Sequence, residues 1–382
     1  MARVKLIQTR GDIAPEHHAL FDELAALRGR ISGPSTVVLH SPGLARPWNE
    51  VSEALHGLSI VEAAHAELAV CATAREHDCG YIWAAHLPRA REAGVTPETI
   101  AALRERGALD GLPAEEATLV RYVRQLLQDN RVERNVFDPL LGIHGTRWLV
   151  ELTVWIGRYA ALAGILNSFE VSAAAGADQL PPAAPATPSR RTAQSGPGPV
   201  PRVAPITARE QVDEPDRAVF DAVAEGRGSV RGPFSLLMYS PPLCRSIFDV
   251  SNYLRFGSKL SPRARELATI AAAREKDCPY VWAAHAPAAR REGVADPLIA
   301  AIREHGELAA FPAADRDVVA HARAVLQAHR VPQDLFDRLV EAHGVPWLVE
   351  LTALIGHYGL VCAVLNAFEV APAPDAEALP LG

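Results

Sequence analysis

Long basic runs are absent from the 382 residues, and the formal net charge is −7 at pH 7. Nucleic acid or an anionic membrane surface needs a positive footprint, so neither is an expected partner. The opening residues, MARVKLIQTRGDIAPEHH, hold no apolar segment of the kind a secretory leader carries. The most apolar long stretch, 148–166, is interrupted by Glu151 and Arg158. The expectation is a cytoplasmic protein with a buried helix there. Cysteine is scarce: five in a chain of this length build no disulfide framework, and an odd number leaves at least one free thiol. Period-two alternation is also nearly missing, whereas apolar residues recur at spacings of three and four. That excludes a sheet as the organising element and predicts an all-α fold.

What is present is a duplication. The stretch ELAVCATAREHDCGYIWAAHLPRAREAG at 67–94 returns as ELATIAAAREKDCPYVWAAHAPAARREG at 266–293, at a constant offset of 199 residues. The register holds without a gap from Phe21, opposite Phe220, to Glu170, opposite Glu369. With 49% hydrophobic and 22% charged residues, each half can bury a core of its own. The chain therefore divides into a first repeat at 1–171, an Ala/Pro-rich linker at 172–206, a second repeat at 207–372 and a tail at 373–382. The linker lacks apolar periodicity, and Pro-rich chain spans about 3 Å per residue, enough for the two halves to meet face to face.

Within the duplicated stretch, Asp78 and Asp277 read as helix N-caps, with Cys79 and Cys278 at the first helical position and Pro279 next to it. Gly94 and Gly293 mark helix ends. Further helices are predicted over 113–128 and 132–144. A long final helix starts at Trp148, matched by Trp347, with an apolar surface on most sides.

Three residue types keep their spacing in both copies: Glu67, Cys79 and His86 in the first, Glu266, Cys278 and His285 in the second. A cysteine at a helix start is placed to become a thiolate, because unpaired N–H groups and the helix dipole favour negative charge. Seven residues are close to two turns, so each histidine returns to the face of its cysteine about 10 Å further along. The glutamate of the preceding helix is then the expected bridge, passing a proton between thiol and imidazole if burial raises its pKa. Pro88 and Pro287 predict a kink just past each histidine.

Other residues read more plainly. Tyr81, Trp83, Tyr280 and Trp282 are packing residues. His144 and His343, each before a glycine, are expected to face the dipole at a helix C-terminus. Glu151 and Glu350 are buried structural carboxylates expected to pair with an arginine. Cys71, Cys244 and Cys362 have no cysteine at the matching position and read as small core residues. His40, His56, His65 and His77 lack histidine counterparts, and their spacings match no metal motif, so neither a metal nor a cofactor is expected.

The E-x11-C-x6-H pattern, with C-x-Y-x-W-A-A-H at its centre, resembles the carboxymuconolactone decarboxylase and alkyl hydroperoxidase D superfamily over nearly all of both halves. The resemblance implies two such helical repeats packed as a pseudo-dimer inside one chain, with a higher homo-oligomer open to it. It implies a thiol-dependent peroxidase or oxidoreductase in which Glu67, Cys79 and His86, and Glu266, Cys278 and His285, are catalytic. A hydroperoxide would be the substrate and an external thiol the reductant. The second cysteine of the superfamily's Cys-x-x-Cys pair falls at Ile82 and Val281, so neither motif has its own resolving thiol. The alternatives are a decarboxylase, lactone-processing or ring-cleaving enzyme on a small cyclic or aromatic acid, with a metal-dependent form among them, and a non-catalytic ligand-binding scaffold.

Overall fold

Gly145 and Gly344 set the layout of each half. Both lie at positive φ, 83° and 82°, a region open to glycine at little cost. In the computed structural model, which describes residues 2–181 and 200–381, the helical run Arg134–Ser168 breaks at Gly145. At the matching place Gln333–His343 gives way to Val345–Ala367. All regular secondary structure among the described residues is helical, as the apolar spacing predicts.

The two long helices beyond these glycines form the centre of the molecule. Both are apolar enough to cross a bilayer, yet 94% of each apolar window is buried against protein, so they serve as core helices. They cross at small residues. A Cβ added to Gly157 would meet Leu360 Cα at 2.9 Å, and one added to Gly356 would meet Ala161 Cβ at 2.8 Å. Gly157 and Gly356 are counterparts in the repeat, as are Ala161 and Leu360, so the contact recurs across an approximate two-fold axis. The same reciprocity holds elsewhere. Phe137 packs edge-on against Phe368 at 5.3 Å, and Phe169 against Phe336 at 5.4 Å. Ser41 reaches Glu350 while Ser240 reaches Glu151.

Of the stretch assigned to the linker, residues 182–199 lie outside the described residues. Its two described ends lie on the halves. Arg75 donates to the Pro181 carbonyl at 3.0 Å, and Asp178 accepts from Arg104 and from Trp83. Arg202 donates to the Val132 carbonyl at 2.6 Å and pairs with Glu369. The tail repeats the pattern, with Glu377 on Arg290 and the Pro380 carbonyl on Arg274.

The duplicated stretch folds as a helical hairpin in each half: Ala63–Glu76 followed by Gly80–Glu92, and Pro262–Glu275 followed by Pro279–Arg291. The caps differ from the sequence expectation by one residue. Asp78 and Asp277 take left-handed φ of 47° and 44° to close the turn, and the N-caps are Cys79 and Cys278 themselves. Both second helices continue through Pro88 and Pro287 to Glu92 and Arg291.

Candidate active site

The hairpin turn lays each glutamate helix antiparallel to the helix that carries the histidine. Glu67 Oε2 lies 2.7 Å from His86 Nδ1, and Glu266 Oε2 lies 2.7 Å from His285 Nδ1. The carboxylates are thus joined directly to the imidazoles. A carboxylate that accepts the Nδ1 proton fixes the ring and leaves Nε2 to exchange protons. Burial pushes the Glu266 carboxyl up, but the hydrogen bond and charge of His285, with Arg265 and Arg255 nearby, hold it below its ordinary value. This is opposite to the raised pKa that a Cys-to-His relay requires. Glu266 orients its histidine and stays ionised.

The cysteines stand apart from these pairs. Both sulfur-bearing residues are 0% exposed. No hydrogen bond joins either one to the Glu or His of its own motif among the described residues. The N–H groups of Ile82 and Tyr81 do favour a thiolate at Cys79, as does Arg330 of the other half. Burial is the larger effect, and the thiol is pushed up to about 12. The expectation of an activated thiolate at Cys79 therefore fails on desolvation.

In the second half the motif cysteine has a sulfur neighbour that the sequence reading passed over. The Cys362 thiol lies beside Cys278, and burial first, then that neighbouring thiol, raise its pKa well above the ordinary thiol value. Asn366, one turn beyond Cys362, donates to the Lys276 carbonyl at 2.7 Å and fixes this face of the central helix beside the Cys278 turn. In the first half the matching residue is Ala163.

The profile of the carboxymuconolactone decarboxylase family matches residues 42–125 and 241–328, one match on each hairpin. Each half carries a carboxymuconolactone decarboxylase domain. No curated protein matches the chain. Among solved structures, an uncharacterized peroxidase-related protein from Silicibacter sp. TM1040 is similar at 16% identity and a TM-score of 0.36, over 47% of this chain and 93% of that one.

The two carboxymuconolactone decarboxylase domains share the Glu–His pair and differ around it. In the second, His285 opens on a cavity of about 520 Å³. Phe234, Val281, Val361 and Leu365 line its apolar part, and Arg227, Arg231, Arg255, Tyr280, His357 and Tyr358 its polar part. Tyr358 Oη lies 3.3 Å from His285 Nε2. Burial, with the nearby Glu266 charge, raises the Tyr358 hydroxyl to about 12, so it remains a donor. His357 is pushed down to about 3 by burial, then by Arg227, Arg158 and Arg255, and is neutral. Burial and the Arg255 charge lower Arg227 to about 10, which leaves it cationic at neutral pH.

In the first carboxymuconolactone decarboxylase domain the tyrosine is directed elsewhere. The Tyr159 ring stands edge-on to His86 at 4.9 Å, while its hydroxyl lies 3.1 Å from His56 Nε2. His56 occupies the position of Arg255, and Arg158 that of His357. Arg158 is turned into the core, donating to the Trp48 carbonyl at 2.5 Å and to Ser52 Oγ at 3.1 Å. Among the described residues, those that line the cavity of the second domain all fall within 226–376.

Of the residues read as bland, Tyr81 and Tyr280 do pack against backbone: a Cβ at Gly33 or Gly232 would collide with their rings. Tyr280 also lines the cavity. Tyr159 and Tyr358 escaped the sequence reading although they are counterparts at the same offset. Their signal was a polar group repeated inside an otherwise apolar helix.

Proposed function

We propose that the second-domain site is a general acid–base centre acting on a small carboxylic acid, in the decarboxylating, lactone-processing or ring-cleaving class. The observation that carries this reading is the opening of the Glu266–His285 pair onto a cavity that also holds Arg227, Arg231 and Arg255. Arginine forks match carboxylate geometry and bind it as charge-assisted pairs. The apolar wall suits a ring or short carbon skeleton. His285 exchanges a proton at Nε2, Glu266 stabilises the imidazolium through Nδ1, and Tyr358 donates to a developing oxyanion. In a decarboxylation, the C–C bond to the departing carboxylate breaks and its electron pair passes into an adjoining carbonyl or ring. His285 then delivers a proton to carbon as CO2 leaves.

The test is turnover of a panel of small cyclic carboxylic acids, followed by CO2 release and by ultraviolet absorbance. His285→Asn is expected to lower kcat by about 10²–10⁴-fold, the usual scale of general acid–base catalysis. Arg227→Gln is expected to raise KM. Turnover unchanged in His285→Asn refutes the reading.

A second reading, thiol-dependent peroxidase, draws support in the second domain from the Cys278–Cys362 contact. One sulfur, as thiolate, attacks a hydroperoxide oxygen; the O–O bond breaks, an alcohol leaves with a proton, and a sulfenic acid forms. The other thiol displaces water to close a disulfide, which an external thiol reduces.

A further inference from the structure

Three helices of the first domain bring together side chains that have no part in the Glu67–His86 pair. His65 sits in the first turn of Ala63–Glu76, Glu115 in the first turn of Ala114–Arg124, and His144 directly before the break at Gly145. His65 and Glu67 are two residues apart on one helix, about 200° around its axis, so they serve different faces. His65 Nε2 and His144 Nε2 converge on the same carboxylate oxygen, Glu115 Oε1, at 3.2 and 2.8 Å. The three donor atoms all lie within 4.8 Å of one another. Tetrahedral zinc with bonds of about 2.0–2.1 Å holds its ligand atoms roughly 3.3 Å apart, so small shifts admit an ion among them.

The surroundings are organised in the same sense. Glu62 Oε2 lies 3.0 Å from His65 Nδ1 and accepts from Trp148 Nε1 at 2.7 Å. A carboxylate on the far nitrogen of a histidine is how metal-ligating imidazoles are oriented, with Nε2 left for the ion. The His144 ring is stacked on Trp148 at 3.8 Å, which fixes its direction.

The second domain is a built-in comparison. His343 stacks on Trp347 at 4.0 Å just as His144 does on Trp148, so the stack belongs to the fold. At the positions of His65 and Glu115 stand Ala264 and Ala314. At the position of Glu62 stands Ser261, whose side chain caps its helix by accepting from the Ala264 N–H. Glu62 makes no such cap. An N-cap side chain satisfies a helix N–H that otherwise lacks a partner, so the first domain forgoes local helix stability at the residue that orients His65.

We propose that His65, Glu115 and His144 form a divalent-metal site of the zinc(II) type, confined to the first domain, with Glu62 orienting His65. Two imidazoles and one carboxylate leave the fourth position open for water or a ligand atom. Glu115 is the most exposed of the three, its side chain 44% accessible, and gives the ion its entry path.

The test is calorimetric titration of the chelator-treated full chain with Zn²⁺ alone, with circular dichroism verifying the fold of every variant. Wild type is expected to bind one equivalent. Glu115→Ala and His65→Ala are expected to lose about 100-fold or more in affinity, and Glu62→Gln about 10–100-fold, the range for outer-shell partners. His343→Ala and the double variant Cys278→Ser, Cys362→Ser are expected to bind as wild type does. Co²⁺ in place of Zn²⁺ is expected to give the visible bands of a tetrahedral ion in wild type and none in Glu115→Ala. No Zn²⁺ binding, undiminished binding in folded His65→Ala and Glu115→Ala, or loss of binding in the cysteine double variant would overturn the assignment.

Discussion

Ser41 of the first half donates to Glu350 Oε1 of the second at 2.6 Å, and its counterpart Ser240 donates to Glu151 Oε1 of the first at 2.7 Å. Both glutamates are 0% exposed, so each depends on donors from its surroundings. The two are not supplied alike. Glu151 also receives Arg147 Nε at 2.8 Å, Ser59 Oγ at 2.8 Å and the Ile60 N–H at 2.6 Å. Where Arg147 stands, the second half has Pro346, and Glu350 relies on Ser41, Tyr253 and the Lys259 N–H. Ser41→Ala is therefore expected to destabilise by about 1.5–3 kcal/mol, the scale for hydrogen bonds to charged groups. Ser240→Ala is expected to cost less. Urea unfolding of the two variants side by side decides the order; equal effects would refute it.

Two glycines in the first half make opposite predictions for the same substitution. Gly157 touches Leu360 at the helix crossing, and overpacking there costs about 1–3 kcal/mol. This outweighs the gain of about 1 kcal/mol that alanine brings to a helix. Gly142 is helical and exposed, and a Cβ there meets nothing within 4 Å. Gly157→Ala should lower the thermal midpoint and Gly142→Ala should raise it.

Acid should act on the second-domain cavity in two steps. His357 is depressed from 6.5 to about 3. Below pH 6.5 the unfolded chain takes up a proton that the native state refuses, so stability falls as pH drops from 6.5 toward 3. His321, also lowered to about 3 chiefly by burial, acts with the same sign. Glu266 is held below its ordinary 4.5, so its contribution is present above that pH and disappears as pH falls through the native value. His357→Leu is expected to flatten the fall between pH 6.5 and 5 by about 1 kcal/mol per pH unit, and Glu266→Gln to flatten it only below about 4.5. Urea midpoints across this range check both.

Oxidation should separate the two domains. Hydrogen peroxide or a diamide reagent is expected to yield a Cys278–Cys362 disulfide by peptide mapping, with Cys79 recovered as a free thiol, because Ala163 stands where its partner would be. Cys362→Ala should leave Cys278 unpaired. Cross-linking of Cys79 to any thiol at a comparable rate would contradict the geometry.

The helical class, the duplication, the pairing of Glu with His in space and the break at Gly145 and Gly344 were legible in the sequence. The placement of the cysteines was not, for a definable reason. The seven-residue argument puts two side chains on one face only if both belong to the helix. Cys79 and Cys278 are caps with φ, ψ of −91°, 87° and −107°, 93°, and they point by other rules. The cap itself shifted because Asp78 and Asp277 were needed in the left-handed turn. Repeat matching also has a blind side. It raises what both copies keep, so among residues present in one copy only, Cys362 reads as core and His65 as no metal ligand, while Glu115 and Arg255 go unmarked until the helices bring them beside a partner.

The central crossing carries a consequence for how such a molecule can diverge. In a dimer of identical chains, Gly157 would face the same residue that it neighbours in its own sequence, and every substitution would appear twice. Joined in one chain, Gly157 faces Leu360 while Gly356 faces Ala161. A change on one side of the axis is met on the other by a residue free to differ. The tandem thus keeps the mechanical support of a symmetric pair and releases each copy from its mirror image, so that one face can gather imidazoles while the opposite one gathers arginines and a second thiol.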